Sequence, residues 1–187
     1  MKIEDIFLRA LEPSDIKILM QLENDESYWK YSNTTEPFSK KLLTSFIAEQ
    51  KRDIFEVKQK RYVISCQKIP TLGFIDLFNF EPLHRRAGVG ILIIEKFRGK
   101  GLGKKALDLL ISHSKKNLNI NCLFANIAFE NKASINLFRS SGFIRYFLLS
   151  FALGYYIKKF GNEKILSIWA LFFLIVTVDL IFEFYNG

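Results

Sequence analysis

Cysteine and histidine are both scarce in this chain of 187 residues, which contains two of each. The cysteines, Cys66 and Cys122, lack the spacing of metal ligands, so neither a disulfide framework nor a cysteine-built zinc site is expected. No group of histidine, aspartate and glutamate has metal-ligand spacing either, and we therefore expect no metal. Residues 1–9 also lack the long apolar run of a secretory signal, so the expected compartment is the cytoplasm.

The composition is that of a globular protein, with 49% hydrophobic and 25% charged residues. This balance excludes disorder, collagen and coiled coil as descriptions of the whole chain. Lysine and arginine number 27 against 19 acidic residues, which gives a formal net charge of +8. Such an excess suits a polyanionic partner, namely nucleic acid, a phosphate-rich cofactor or an anionic membrane.

Strand and helix signals alternate as far as residue 142. Strands are predicted at residues 6–11, 61–66, 71–80, 87–94 and 121–127. Helices are predicted after Pro13, after Ser39, over residues 102–117 and from Asn131 to Gly142. This order predicts an α/β or α+β domain built around one mixed sheet.

The strongest chemical signal is a glycine-rich run between a predicted strand and a predicted helix. The run consists of Arg98, Gly99, Lys100, Gly101, Leu102 and Gly103, and Lys104 follows it. Its glycines let backbone N–H groups turn towards a ligand, and the next helix directs its positive end to the same place. The pattern is neither a Walker loop nor a dinucleotide-binding fingerprint. It predicts a pyrophosphate cradle, and a glycine-rich turn with a solvated basic rim is the alternative.

Two further motifs stand at either side of this run. Residues 89–92 (VGIL) lie on the preceding strand, and residues 131–138 (NKASINLF) are followed by Gly142 and Phe143. Together with the glycine run, they resemble the GNAT acetyltransferase superfamily over residues 6–145.

The resemblance implies a GNAT-like fold, a mixed and mostly antiparallel central sheet flanked by helices, with acetyl-CoA as the cofactor. The glycine run would hold the pyrophosphate, the splayed strand before it would pair with pantetheine, and the helix after Asn131 would line the other side. The cofactor-binding residues implied in this way are Ile91, Leu92, Ile93, Arg98, Gly99, Lys100, Gly101, Leu102, Gly103, Lys104, Asn131, Ser134 and Phe138.

The N-terminal part carries a closer resemblance. Residues 8–12 (LRALE), 23–25 (END) and 29–39 (WKYSNTTEPFS) are similar to the branch that contains spermidine/diamine acetyltransferases and ribosomal-protein acetyltransferase-like enzymes. By family position Asp76 faces the acceptor cleft, and we assign it as an amine-binding residue or catalytic base. The alternative for Asp76 is a structural carboxylate whose charge is satisfied by neighbouring backbone groups or by an arginine.

Other charged residues are candidates on the acceptor side. Glu36 and His84 are predicted to bind substrate, although a solvated loop and a structural histidine are the competing interpretations. Acidic residues at Glu23, Asp25 and Glu26 would also attract a cationic amine.

Phe138 occupies the position from which a side chain could donate a proton to the departing coenzyme A thiolate. In the polyamine branch a tyrosine at this position would donate that proton. Phenylalanine has none to give, so the resemblance implies either that solvent assists the departing thiolate or that the activity is reduced in this chain.

Residues 146–187 form an apolar segment that departs from the family pattern, and residues 146–157 and 165–178 contain no charge. We therefore divide the chain into an acetyl-CoA-binding domain over residues 1–145 and a C-terminal segment over residues 146–187. Residues 165–182 approach the length of about 20 apolar residues that a membrane span requires. Three interpretations stay open: an anchor at the inner face of the membrane, final buried strands, or an aberrant end.

The predicted function is acetyl-CoA-dependent N-acetylation of a primary amine, either a polyamine-like small molecule or a protein N-terminus. A non-catalytic acyl-CoA-binding module, tethered to a membrane by the tail, is the alternative. No nucleic-acid partner is expected, because the basic residues cluster at the glycine run. We also expect the protein to form a homo-oligomer.

Overall fold

A five-stranded sheet in the strand order β1-β2-β3-β4-β5 organises the protein. The structure, a computed structural model, describes residues 5–32 and 34–143. The strands are β1 (Ile6–Ala10), β2 (Lys60–Cys66), β3 (Ile69–Glu81), β4 (Arg86–Ile93) and β5 (Cys122–Phe124). Neighbouring strands are antiparallel except for β4 and β5, which are parallel. The predicted mixed, mostly antiparallel sheet is therefore confirmed.

Helices cover both faces of the sheet. They are α1 (Ile16–Glu23), α2 (Glu26–Ser32), α3 (Lys40–Glu49), α4 (Ile54–Val57), α5 (Leu102–Asn117) and α6 (Lys132–Ser140). One core cluster joins Ile75 and Leu77 of β3 to Leu107 and Leu110 of α5. A second cluster joins Phe74, on the opposite face of β3, to helices α1 and α3, which lie between β1 and β2 in the chain. The alternation of side chains along β3 thus supplies both cores.

Local sequence explains where several helices begin and end. The Ser39 hydroxyl accepts a hydrogen bond from the Leu42 N–H and caps α3, as its position predicts. Gly142 has a φ of +88°, the left-handed conformation that favours glycine after a helix. Helices α2 and α4 are short, and no prediction from the sequence covered them.

The β2–β3 hairpin differs from its prediction in the position of its turn. The turn lies at Gln67 and Lys68, whereas Pro70 falls inside β3. Proline is tolerated there because the register shifts between Ile64 and Cys66 on the facing strand, which forms a bulge. The predicted strands left residues 67–70 as the connection, so β3 begins two residues earlier than the predicted 71–80.

Strand β5 is shorter than the predicted 121–127, because β4 and β5 pair only from Arg86 to Gly88. Beyond Gly88 the two strands separate. A strand without a partner loses its ladder hydrogen bonds, and regular β5 structure ends at Phe124.

The described residues belong to a unit that ends at Phe143. The predicted boundary after residue 145 stays a prediction, and the predictions for 146–187, including a membrane segment at 165–182, lie outside the described residues. Among the residues that are described, no helix combines the length and apolarity needed to cross a membrane.

Candidate active site

The separation of β4 from β5 opens a cleft of about 790 Å³. Its walls come from the second half of β4, the N-terminus of α5, one face of α6, and residues of α1 and α2. The cleft therefore runs between the part of β4 that has separated from β5 and helices α1 and α2. Its volume lies within the range of small-molecule sites.

The exposed edge of β4 offers backbone hydrogen-bonding groups to this cleft. The Ile94 N–H donates to the Leu72 carbonyl of β3 at 3.0 Å. Peptide groups alternate in direction along an antiparallel strand, so those of Ile93 and Ile91 face away from β3. The Arg98 side chain binds the Ile93 carbonyl at 3.0 Å, which agrees with this alternation. Leu92 is also among the residues that the resemblance implies for cofactor binding, but the same alternation directs its backbone N–H and carbonyl towards β3.

The glycine run forms a tight turn that leads directly into α5. Gly99 and Gly101 have φ values of +72° and +74°, and Gly101 precedes the first helical residue. Apart from the glycine itself and its two neighbours in the chain, no described residue has an atom within 4 Å of a Cβ added at either position, so both backbones face open space. The first N–H groups of a helix have no carbonyl partner within it, and they are available to an anion at this end of the cleft.

The α6 wall is held by Asn131, whose side chain caps the helix by accepting a hydrogen bond from the Ser134 N–H at 3.1 Å. Phe138 lies one turn further along α6 and is 4% exposed. Its ring packs edge-on against Phe143, with the ring centroids 4.9 Å apart. Phe138 therefore belongs to the core and not to the cleft wall.

At the opposite end of the cleft, Arg61, Asp76 and Gly90 form a row across β2, β3 and β4. The Arg61 guanidinium donates from Nε to Asp76 Oδ1 at 2.6 Å and from Nη2 to Asp76 Oδ2 at 2.8 Å. Its Nη1 binds Glu23, at the end of α1. The Asp76 carboxylate lies 3.6 Å from a Cβ placed at Gly90. The acidic group is therefore one residue away from the exposed Ile91 peptide.

Charge is distributed unequally between the two ends of the cleft. Burial by itself lowers the pKa of the Arg61 guanidinium, but Asp76 and Glu23 outweigh it and raise that pKa above its ordinary value. Arg61 is therefore a permanent cation between two carboxylates, and this end carries one net negative charge. The other end carries Arg98, Lys104 and the positive terminus of α5.

Most of the predicted site residues line this single cleft. Those that line it are Asp76, Ile91, Leu92, Ile93, Arg98, Gly99, Gly101, Leu102, Gly103, Lys104, Asn131 and Ser134.

Four predicted residues lie elsewhere. The Lys100 ammonium binds the Lys96 carbonyl at 3.1 Å, outside the cleft. Phe138 is in the core, and Glu36 is exposed in the connection between α2 and α3. His84 lies in the β3–β4 turn, where its exposed side chain is 4.0 Å from the Glu81 carboxylate. The roles of these four residues stay predictions.

Sequence reasoning missed Arg61 altogether and named Glu23 only as part of an acidic cluster. Nothing in the local sequence marks Arg61, because its importance depends on the β2–β3 register that sets it opposite Asp76. Tyr28 and Asn126 also line the cleft without a motif to identify them, and Trp29, the first residue of the 29–39 stretch, lines it as well. Among residues 5–32 and 34–143, no three metal-binding side chains are grouped to hold an ion.

Comparison with known protein families gives a match over most of the described chain. The profile of the acetyltransferase (GNAT) domain family matches residues 5–144. Spermidine N(1)-acetyltransferase of Escherichia coli is 29% identical over 136 residues, which cover 73% of this chain and 71% of that protein. An uncharacterized N-acetyltransferase, p20, of Bacillus licheniformis is 31% identical over 145 residues, or 75% of this chain and 79% of that one.

Solved structures show the same architecture. Spermidine N-acetyltransferase from Vibrio cholerae, in complex with CoA and spermine, superimposes with a TM-score of 0.66 at 25% sequence identity. The superposition covers 73% of this chain and 79% of that one. A dodecameric structure of the Vibrio cholerae enzyme matches with a TM-score of 0.61 at 26% identity, over 73% of this chain and 78% of that one.

Proposed function

This chain belongs to the GNAT acetyltransferase family, and from that premise we propose that it acetylates a polyamine-like small molecule in the cleft described above. The protein is an acetyl-CoA-dependent N-acetyltransferase. The resemblance predicted from the glycine run and the Asn131 motif is confirmed.

The observation that carries the proposed substrate is the opposite charge at the two ends of one cleft. The glycine run, Arg98 and Lys104 suit an anionic pyrophosphate, whereas Asp76 and Glu23 suit a cationic amine. A protein N-terminus carries one positive charge, but a polyamine carries several. Spermidine and spermine, which are named for the relatives, are amines with several positive charges.

The residues at the glycine run fit acetyl-CoA. Both Gly99 and Gly101 leave open space where other residues would carry a Cβ, so a phosphate can approach the backbone N–H groups closely. The exposed edge of β4 offers the N–H and carbonyl of Ile91 and the N–H of Ile93 to an amide-containing chain such as pantetheine. Ser134 and Asn131 close the cleft from the α6 side.

Bound acetyl-CoA supplies a thioester carbonyl, which a neutral amine attacks. The amine enters as an ammonium ion, and the Asp76 carboxylate binds it and accepts its proton directly or through water. The Ile91 N–H lies on the exposed edge beside Gly90, where it donates a hydrogen bond to developing negative charge on the carbonyl oxygen. The buried ring of Phe138 contributes no proton, so the departing thiolate takes its proton from solvent.

An amine panel tests this proposal with the full-length chain. Free coenzyme A is measured with a thiol reagent, and the acetylated product is identified by mass spectrometry. We expect spermidine and 1,4-diaminobutane to be acetylated faster than a peptide with a free N-terminus. Turnover of the peptide alone would contradict the polyamine proposal. If acetyl-CoA binds and no amine is acetylated, the non-catalytic acyl-CoA-binding module is the better description.

We also propose that the protein forms a homo-oligomer, since a structurally similar enzyme of 26% identity is dodecameric. Light scattering coupled to gel filtration measures the mass in solution, and a monomer of 21.8 kDa would refute the proposal.

A further inference from the structure

The acidic end of the cleft contains two carboxylates, and their surroundings differ. We propose that Glu23, held by Arg61 across from Asp76, binds a second cationic group of the acceptor and so selects amines with two or more positive charges. This inference rests on the proposed function, because it assigns a specificity-determining residue to the same cleft.

Asp76 is the carboxylate next to the reacting centre. It lies beside Gly90, one residue from the Ile91 peptide that faces the cleft. Both of its oxygens accept hydrogen bonds from Arg61, at 2.6 and 2.8 Å. Its remaining lone pairs serve the amine that is to be acetylated.

Glu23 is displaced from that centre, because its carboxylate lies at the Nη1 side of the same guanidinium. Only its Oε1 binds Arg61, and within the described part of the chain Oε2 has no hydrogen-bond partner. Glu23 lines the cleft and is 22% exposed, so this oxygen is accessible to a ligand. The Trp29 indole N–H donates to the Glu23 carbonyl at 2.8 Å and holds the end of α1 in place.

Arg61 fixes the separation of the two carboxylates. Its guanidinium carbon lies 5.2 Å from the ring centre of Phe46 and 5.6 Å from that of Phe74. Its backbone N–H donates to the Gln50 side chain at 2.7 Å. An arginine held at both ends loses little further freedom when a substrate binds.

The presence of a second carboxylate, rather than the net charge, favours a substrate with more than one cationic group. Two carboxylates and one guanidinium leave one net negative charge, which a monoamine satisfies at Asp76 alone. A diamine places its second ammonium group near Glu23 and gains a charge-assisted hydrogen bond. When a monoamine of the same length binds, the Glu23 carboxylate stays hydrated. The tighter binding of a diamine therefore depends on the Glu23 side chain.

Matched substrates and a matched variant test the role of Glu23. The substrates are 1,4-diaminobutane and 1-aminobutane, and the variant is Glu23→Gln, which keeps the shape but removes the charge. Loss of a hydrogen bond between charged groups is expected to lower kcat/KM for the diamine about tenfold and for the monoamine less than about threefold. Glu26→Gln is the control, since Glu26 is exposed on α2 and outside the cleft.

The ratio of the two kcat/KM values decides the inference. A ratio of diamine to monoamine that is equal in the wild type and Glu23→Gln would overturn it. An unchanged acetyl-CoA Kd and melting temperature in Glu23→Gln show that the effect is confined to the acceptor. If the wild type acetylates neither amine, the proposed function fails, and calorimetric titration of 1,4-diaminobutane into the CoA-bound protein tests the inference separately. About tenfold weaker binding by Glu23→Gln would support it, and equal affinity would refute it.

Discussion

At the scale of single residues, the glycine run contains two kinds of position. Gly101 adopts a φ of +74°, lines the cleft and immediately precedes α5. Lys100, its neighbour, directs its ammonium to the Lys96 carbonyl and lies 5.6 Å from the Phe97 ring centre. We therefore expect the Gly101 backbone to contribute more to anion binding than the Lys100 side chain does.

Replacing Gly101 by valine should weaken acetyl-CoA binding far more than replacing Lys100 by alanine. A β-branched residue in the left-handed region costs about 1–2 kcal/mol, and its side chain enters the space in front of the helix N-terminus. We expect the calorimetric Kd to rise at least about tenfold for Gly101→Val and at most about threefold for Lys100→Ala. Equal affinities of wild type and Gly101→Val would contradict this role of the loop.

At the scale of secondary-structure elements, the pairing of β3 with β4 positions the exposed strand edge. Gly73 makes this pairing possible, because a Cβ at that position would lie 2.1 Å from the Leu92 carbonyl oxygen. Backbone atoms cannot give way as a flexible side chain can. At Gly90, on the partner strand, an added Cβ has its nearest neighbour at 3.6 Å, an ordinary contact.

The two glycines therefore form a matched pair for substitution by alanine. Gly73→Ala should force the strands apart and lower the free energy of unfolding by about 1–3 kcal/mol, as overpacking does. Gly90→Ala should leave the free energy of unfolding within about 0.5 kcal/mol of the wild type. Denaturant titration measures both values, and equal stability of the two variants would contradict the predicted close approach at Gly73.

The contact between α5 and β2 contains a titratable pair on the face of the sheet remote from Asp76. Tyr62 and His113 share a hydrogen bond of 3.0 Å, and Asn117 contacts the other ring nitrogen of His113 at 3.1 Å. Burial raises the pKa of Tyr62 to about 12, so its hydroxyl stays neutral near neutral pH. Burial lowers the pKa of His113 below its ordinary value.

The lowered pKa of His113 predicts a loss of stability on mild acidification. The unfolded chain takes up a proton near the ordinary pKa of about 6.5, whereas the folded protein does so only at lower pH. Stability is therefore complete above about pH 6.5 and falls as the pH drops towards the lower folded value. Melting temperatures at pH 7.5 and 5.5 should fall more for the wild type than for His113→Gln. His84 is present in both proteins, so an equal fall in the two would refute the assignment.

At the scale of the whole molecule, part of the net positive charge lies at the end of the cleft that we propose for the anionic cofactor. Arg98 and Lys104 line the glycine end of the cleft and are exposed to solvent. Screening by salt acts strongly on exposed charges and weakly on backbone N–H groups in the same site. Raising the salt concentration from 0.05 to 0.5 M should therefore weaken acetyl-CoA binding by about three- to tenfold.

Calorimetry at the two salt concentrations measures this effect, and Arg98→Gln provides the comparison. The variant should bind more weakly at low salt and show a smaller salt dependence than the wild type. A Kd that is independent of salt would mean that backbone groups alone hold the cofactor.

The amino-acid sequence by itself determined the alternation of elements, the glycine run and the capping of α6 by Asn131. These features are local, because periodicity, glycine content and cap chemistry act within a few residues of one another. Helix α5 was predicted with its observed bounds, and the GNAT resemblance followed from three motifs of the same local kind. The sequence also predicted Asp76 in the cleft that it lines.

Only the tertiary structure decided what surrounds Asp76. Arg61 lies opposite it because of the β2–β3 register, and Glu23 reaches the same guanidinium from the end of a helix distant in sequence. No local pattern encodes a register or a contact between distant elements, since each depends on how the whole core packs. The burial of Phe138 was decided in the same way, because its ring packs against Phe143 in the core and does not reach the cleft.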